Sequence, residues 1–125
     1  VDPFVWLGRS SEDALERGQS RRRTNPMRTL LKVTVPVHGG NKALKDGTLG
    51  KIIGDTMDRI KPEASFFGVE NGNRVAFMFF DLKEAAQIPG ILEPLFHGLE
   101  AQIDVIPVMN GQELKAGLDA WQKQG

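Results

Sequence analysis

Residues Val75–Phe80 read Val-Ala-Phe-Met-Phe-Phe, after the turn pair Asn71-Gly72 and before Asp81. A strand with one face on a core and the other in water alternates apolar and polar side chains. This run does not alternate. Val75, Phe77 and Phe79 fall on one face and Ala76, Met78 and Phe80 on the other, and both sets are apolar. One layer of helices covers only one face of a sheet. The sequence therefore predicts a sheet whose second face is also withdrawn from water, and a second copy of the same sheet is the simplest cover.

A chain of 125 residues, 40% hydrophobic and 26% charged, fits a single globular domain. Its formal net charge is zero. That balance lacks the overall electrostatic footprint of a nucleic-acid or anionic-membrane binder, so neither is expected as a partner. Cysteine is absent, which excludes a disulfide framework, a thiol nucleophile and a thiolate metal site. A reducing cytoplasm is the compartment this permits and the one expected. Tyrosine is absent too, removing any phenolic acid or donor. No apolar run approaches the ~20 residues of a spanning helix. The patch Phe4–Leu7 is too short for a signal-peptide core, and acidic Asp2 precedes it.

Composition changes near Met27. Residues 1–26 carry Ser10-Ser11-Glu12-Asp13 and Arg21-Arg22-Arg23, with few apolar residues after Leu7. They read as a largely polar N-terminal extension or leader, and 27–125 as the domain proper. Arg21–Arg23 reads most simply as a solvated linker. Beyond Met27, Leu31, Val33, Val35 and Val37 alternate as a strand, which Pro36 limits near its end. His38-Gly39-Gly40-Asn41 is then expected to turn. Leu49, Ile52, Ile53, Met57 and Ile60 recur at helical spacing, with Asp46 or Thr48 as cap and Pro62 as stop. Gly50 and Gly54 lie four apart on that helix, a spacing that admits close approach of another backbone.

Ala64–Val69 predicts a second strand, joined to Val75–Phe80 by Asn71-Gly72, whose residues both tolerate positive φ. Ile88, Ile91, Leu92, Leu95, Phe96 and Leu99 predict a second helix. Pro89 suits its first turn, and Pro94 is expected to kink or restart it. Ile103–Met109 is a fourth strand, placed at an edge by Pro107. Asn110 and Glu113 resemble a capping box, opening a helix with Leu114, Gly117, Leu118 and Trp121 on one stripe. The order β-α-β-β-α-β-α predicts an α+β, ferredoxin-like domain, a four-stranded antiparallel sheet with helices on one side. Strands one and three, the most apolar, take its centre.

Residues 27–125 resemble the dimeric α+β barrel superfamily, in which ferredoxin-like protomers close two sheets into a barrel. The runs Gly40–Thr48, Lys61–Ala64, Phe80-Asp81 and Gln87-Ile88-Pro89 are similar to a group of small bacterial proteins of unknown function. The resemblance implies a homodimer joined through the open sheet face. The superfamily holds cofactor-independent monooxygenases, haem-degrading enzymes, isomerases, decarboxylases and stress-responsive proteins, and fold alone does not choose among them. No catalytic motif of those enzymes matches this chain residue by residue.

Candidate residues follow from chemistry and position. His38 sits at a strand end beside glycines, where an imidazole can serve as general acid or base; the plainer reading is an exposed loop histidine. Asp81 is the alternative weak catalytic candidate, one of three carboxylates with Glu63 and Glu93 that can lie beside an apolar pocket. Asn41, Lys42, Lys45 and Asp46 form a polar cluster that can hold an anionic ligand or simply lead into a helix. Phe66, Phe67, Met78, Phe80, Phe96 and Trp121 can line an apolar cavity or pack a core, and His97 falls at the edge of its helix stripe. The ligand set expected is therefore Asn41, Lys42, Phe66, Met78, Phe80, Phe96, His97 and Trp121. His38 and His97 are the only histidines, without paired metal spacing, so no metal and no cofactor are expected.

Three functions remain open on these residues. One is a homodimer binding a small apolar or aromatic molecule between sheet and helices. Another is a cofactor-independent monooxygenase or isomerase using His38 or Asp81. The third is RNA binding on the same strand order. Against the RNA-recognition pattern only Ala76, Phe77 and Phe80 match, and strand one lacks a stacking aromatic.

Overall fold

The computed structural model describes residues 26–124, so the expected leader lies outside the described residues apart from Pro26. The elements are β1 (Met27–Val35), α1 (Val37–Asp46), α2 (Leu49–Ile60), β2 (Ala64–Glu70), β3 (Asn73–Leu82), a 3-10 turn at Ala85–Gln87, α3 (Ile88–Leu99), β4 (Gln102–Pro107) and α4 (Gly111–Gln124). One antiparallel sheet runs in the order β2-β3-β1-β4, the ferredoxin-like order, with β1 and β3 central.

Asn71 and Gly72, at φ 53° and 79°, make the β2–β3 turn with the two left-handed residues that suit a tight hairpin. Register then sorts the side chains. Leu31 faces Met78 and Val33 faces Ala76 across β1 and β3. These residues, with Val35 and Phe80, form the core with Ala43 of α1, Ile60 of α2 and Ile91, Leu95 and Leu99 of α3. The opposite face carries Leu30, Phe77 and Phe79, flanked in register by Phe66 and Ile106. Both faces of β3 are apolar, as its sequence requires. Pro107 closes β4 at a sheet edge.

Three local expectations are corrected. His38–Asn41 does not turn; it lies in α1, which starts directly after Pro36. The proline's extended conformation positions the chain to enter a helix, and the Gly40 amide donates to the Pro36 carbonyl at 2.9 Å. Gly39 and Gly40 are instead packing residues. A Cβ on Gly39 would run into the Leu99 carbonyl, and one on Gly40 would meet Val35 and Arg74. Gly50 and Gly54, expected to admit a close neighbour, face open space; Gly98 does that work, leaving room for Ile52. Pro94 does not restart its helix, which runs unbroken from Ile88 to Leu99. The carbonyl deprived of its donor belongs to Gly90, and both residues are exposed, so the lost bond falls on the solvent side of the helix rather than in the core.

Candidate functional site

The expected site residues divide between two ends of the sheet. His38 follows the carboxyl end of β1, where Val35 pairs with Arg74, while Asp81 pairs with Arg28 at the other end. Seven residues of strand separate those positions, about 23 Å. His38 and Asp81 therefore do not share a site. The His38 side chain is 82% exposed, with Nδ1 3.3 Å from Glu100. Beside it, Asn41 Oδ1 accepts from Arg74 Nη2 at 3.1 Å. Lys42 is exposed on the same helix. His97 Nε2 lies 3.1 Å from Glu93 one turn earlier in α3, on that helix's exposed side.

The expected apolar lining does not converge either. Met78 and Phe80 are buried in the core, whereas Phe66, Phe67, Phe96 and Trp121 are exposed, Trp121 by 69%. Phe66 stands opposite Phe77 on the face away from the core, and Phe67 opposite Ala76 on the other. An edge strand lies beyond the reach of the helix layer, which explains why Phe67 stays uncovered. Trp121 belongs to α4, none of whose residues is buried.

A cleft of about 520 Å³ does exist, at the Asp81 end, between sheet and helices. Ile60, Phe80 and Ile91 line it, and all three are buried. Its polar lining comes from four places along the chain: Arg59 and Lys61 at the end of α2, Glu63 just before β2, Asp81 in β3 with Lys83 just after it, and Gln87 from the 3-10 turn. Phe80, Asp81 and Glu63 are among the residues the sequence offers as candidates. Arg59, Lys61, Lys83 and Gln87 were not among the expected residues, and the available signal was their position at element ends around Pro62 and after β3.

Local chemistry fixes this rim. Lys61 adopts a left-handed conformation at φ 48°, its amide donating to the Met57 carbonyl at 2.8 Å, so the chain leaves α2 sharply. The Glu63 amide then donates to the Phe79 carbonyl at 2.8 Å, joining this segment to β3. Across the cleft, Gln87 Oε1 accepts from the Lys83 amide at 3.2 Å and the Glu84 amide at 3.4 Å, tying the 3-10 turn to the end of β3. The Arg59 guanidinium lies over Gly90, where a Cβ would stand 3.2 Å from Nη1.

Charge on the rim is uneven. Arg28 bonds Glu63 at 2.8 Å and also bonds Glu113. Hydrogen bonding and attraction to Glu63, then Glu113 and Asp81, raise the Arg28 pKa. Among the described residues, Arg59, Lys61 and Lys83 have no ion-pair partner.

The face away from the core is different in kind. Lys32 Nζ bonds Glu70 at 2.7 Å and lies 5.9 Å from the Phe77 ring centroid. Its pKa is raised, mainly by the hydrogen bond to Glu70. The stem of this lysine crosses an apolar strip and keeps its charge at the rim. Of the aromatics matched to the RNA-recognition pattern, Phe77 stands on this face and Phe80 in the core. Among the described residues no group of three or more His, Asp or Glu can hold a metal, and no helix is long and apolar enough to cross a membrane.

Compared with known protein families, curated proteins and solved structures, the chain shows no match.

Proposed function

We propose that the chain works as a homodimer of the dimeric α+β barrel kind, two sheets meeting through their open faces. Each protomer holds a small molecule with an apolar or aromatic body in the cleft between sheet and helices. In this reading the protein is cytoplasmic, in keeping with its lack of cysteine.

The observation that carries it is the second face of the sheet. Leu30, Phe66, Phe77, Phe79 and Ile106 lie on the side away from the core. Phe66 is 61% exposed and Ile106 42%. Burying a large apolar side chain is worth roughly 1.5–3 kcal/mol, and a contiguous apolar patch on a protomer marks an interaction surface. A twofold arrangement meets each such patch with an identical one.

Light scattering on the full chain at micromolar concentration tests the assembly. The expected mass is twice that of the chain, and a Phe66→Asp, Phe79→Asp variant is expected to run at the single-chain mass. A wild-type monomer at about 100 μM would overturn the dimer, since at that concentration a Kd in the micromolar range is already saturated. Thermal-shift screening with small aromatic compounds tests the ligand, expected as a saturable rise in melting temperature.

A further inference from the structure

We infer that the cleft beside Asp81 selects an organic monoanion, an apolar body bearing one terminal carboxylate. The inference rests on the small-molecule part of the reading above and is independent of the dimer. It starts from two surfaces of the same cleft that ask for different chemistry. Ile60, Phe80 and Ile91, largely buried, with the more exposed Ala86, give one part of its wall an apolar character. Arg59, Lys61 and Lys83 present cations at its rim, and among the described residues none of them has an ion-pair partner.

The nearby carboxylates do not answer those cations. Glu63 is bound by Arg28 at 2.8 Å, and Asp81 lies across the sheet from the same arginine. Counting the lining alone, three cations against Glu63 and Asp81 leave one positive charge. Arg28 engages Glu63 and is itself shared with Glu113, so counting that pair leaves the excess at one positive charge. Like charges gathered at one rim repel, and the repulsion is relieved by an anion that reaches all three. A single carboxylate matches the excess, and guanidinium hydrogen-bonds it in a forked geometry.

Size and shape fit the same class. A volume of about 520 Å³ is within the range of pockets that take small organic ligands. A bare inorganic anion would make no use of the apolar part of the wall, and a neutral hydrocarbon would leave the cations unanswered. An acid with a ring or short alkyl body uses both.

The test is a titration of the full chain with 2-naphthoate, 2-naphthalenemethanol and acetate, followed by amide chemical shifts. Naphthoate is expected to saturate, moving the amides of Lys61, Lys83 and Gly90. The neutral alcohol and acetate are each expected to bind at least about ten-fold more weakly, or 1.4 kcal/mol. Lys61→Gln combined with Lys83→Gln is expected to weaken naphthoate by about ten-fold, whereas Lys51→Gln with Lys115→Gln, exposed lysines away from the cleft, leaves it within about two-fold. Alcohol binding as tight as naphthoate would overturn the anion assignment while leaving a small-molecule site standing. Equal losses in the two lysine pairs, or shifts confined to the open sheet face, would also overturn it. No saturable shift with either naphthyl compound would overturn the assignment and the small-molecule reading together, with the oligomeric mass still read separately.

Discussion

Glycine decides more than any other residue type how closely the helices of this protein approach. Gly39 lies where a methyl group would strike the Leu99 carbonyl, a backbone atom that moves only with its helix. Gly98 faces the end of the flexible Ile52 side chain, and Gly54 faces open space inside α2. Alanine should therefore act with opposite signs at these sites. Gly39→Ala is expected to cost about 1–3 kcal/mol through overpacking, and Gly98→Ala less, because Ile52 can change rotamer. Gly54→Ala is expected to stabilise by about 0.5–1 kcal/mol, from helix propensity alone. Urea unfolding midpoints at constant slope rank the three variants. The pair Gly39-Gly40 also shows where local reading misleads. Two glycines in sequence signal a turn, but here they thin a helix so that it lies against α3 and beneath Arg74.

At the scale of elements, α4 raises the sharpest question. A helix of 14 residues is marginal alone in water, and every residue of α4 is exposed, including Leu114, Leu118 and Trp121 on one stripe. Its start is nonetheless well tied. Asn110 and Glu113 exchange side-chain-to-amide hydrogen bonds at 2.9 and 2.8 Å, the capping box their spacing predicts. Glu113 also reaches Arg28 on β1. Asn110→Ala removes one of these acceptors and is expected to lower helix stability by about 1 kcal/mol. Amide hydrogen exchange reads this directly, with the Glu113 amide losing protection and the amides of β1 and β3 unchanged. The hairpin and the edge strand behave as their sequences imply. Asn71-Gly72 turns with two left-handed residues, and Pro107 ends a strand that has one neighbour.

For the whole molecule, the governing fact is a central strand, β3, apolar on both sides, with the helix core on one and, on the other, an aromatic strip crossed by Lys32. Met78 and Phe80 are covered by the chain's own helices; Phe66 and Ile106 are not. If two protomers supply the missing cover, folding and association are linked, and the melting temperature rises with protein concentration. Differential scanning across a hundred-fold dilution is expected to show that rise in the wild type. It should be abolished by Phe79→Asp, which places a charge at the middle of the open face and leaves the helix-side core untouched. A melting temperature independent of concentration in both proteins would argue for a self-sufficient protomer.

Pattern alone determined the order of the four strands and of α2, α3 and α4, the hairpin, the capping box and the two-sided β3, because each rests on neighbours within a few residues; it missed α1, whose two glycines read locally as a turn. Alternation and helical spacing are local properties, and they survive folding unchanged. The cleft was decided by tertiary structure. Arg59 and Lys61 end α2 and Lys83 follows β3, two segments more than twenty residues apart that the left-handed turn at Lys61, the β2–β3 pairing and the Gln87 hydrogen bonds bring to one rim. Sequence places Phe66, Met78 and Trp121 in a single apolar class. Strand register sends Met78 inward and Phe66 to the opposite face, and α4 carries Trp121 away from the core. Which side of a strand a residue occupies is written in its parity, but what lies over that side is set by elements tens of residues away.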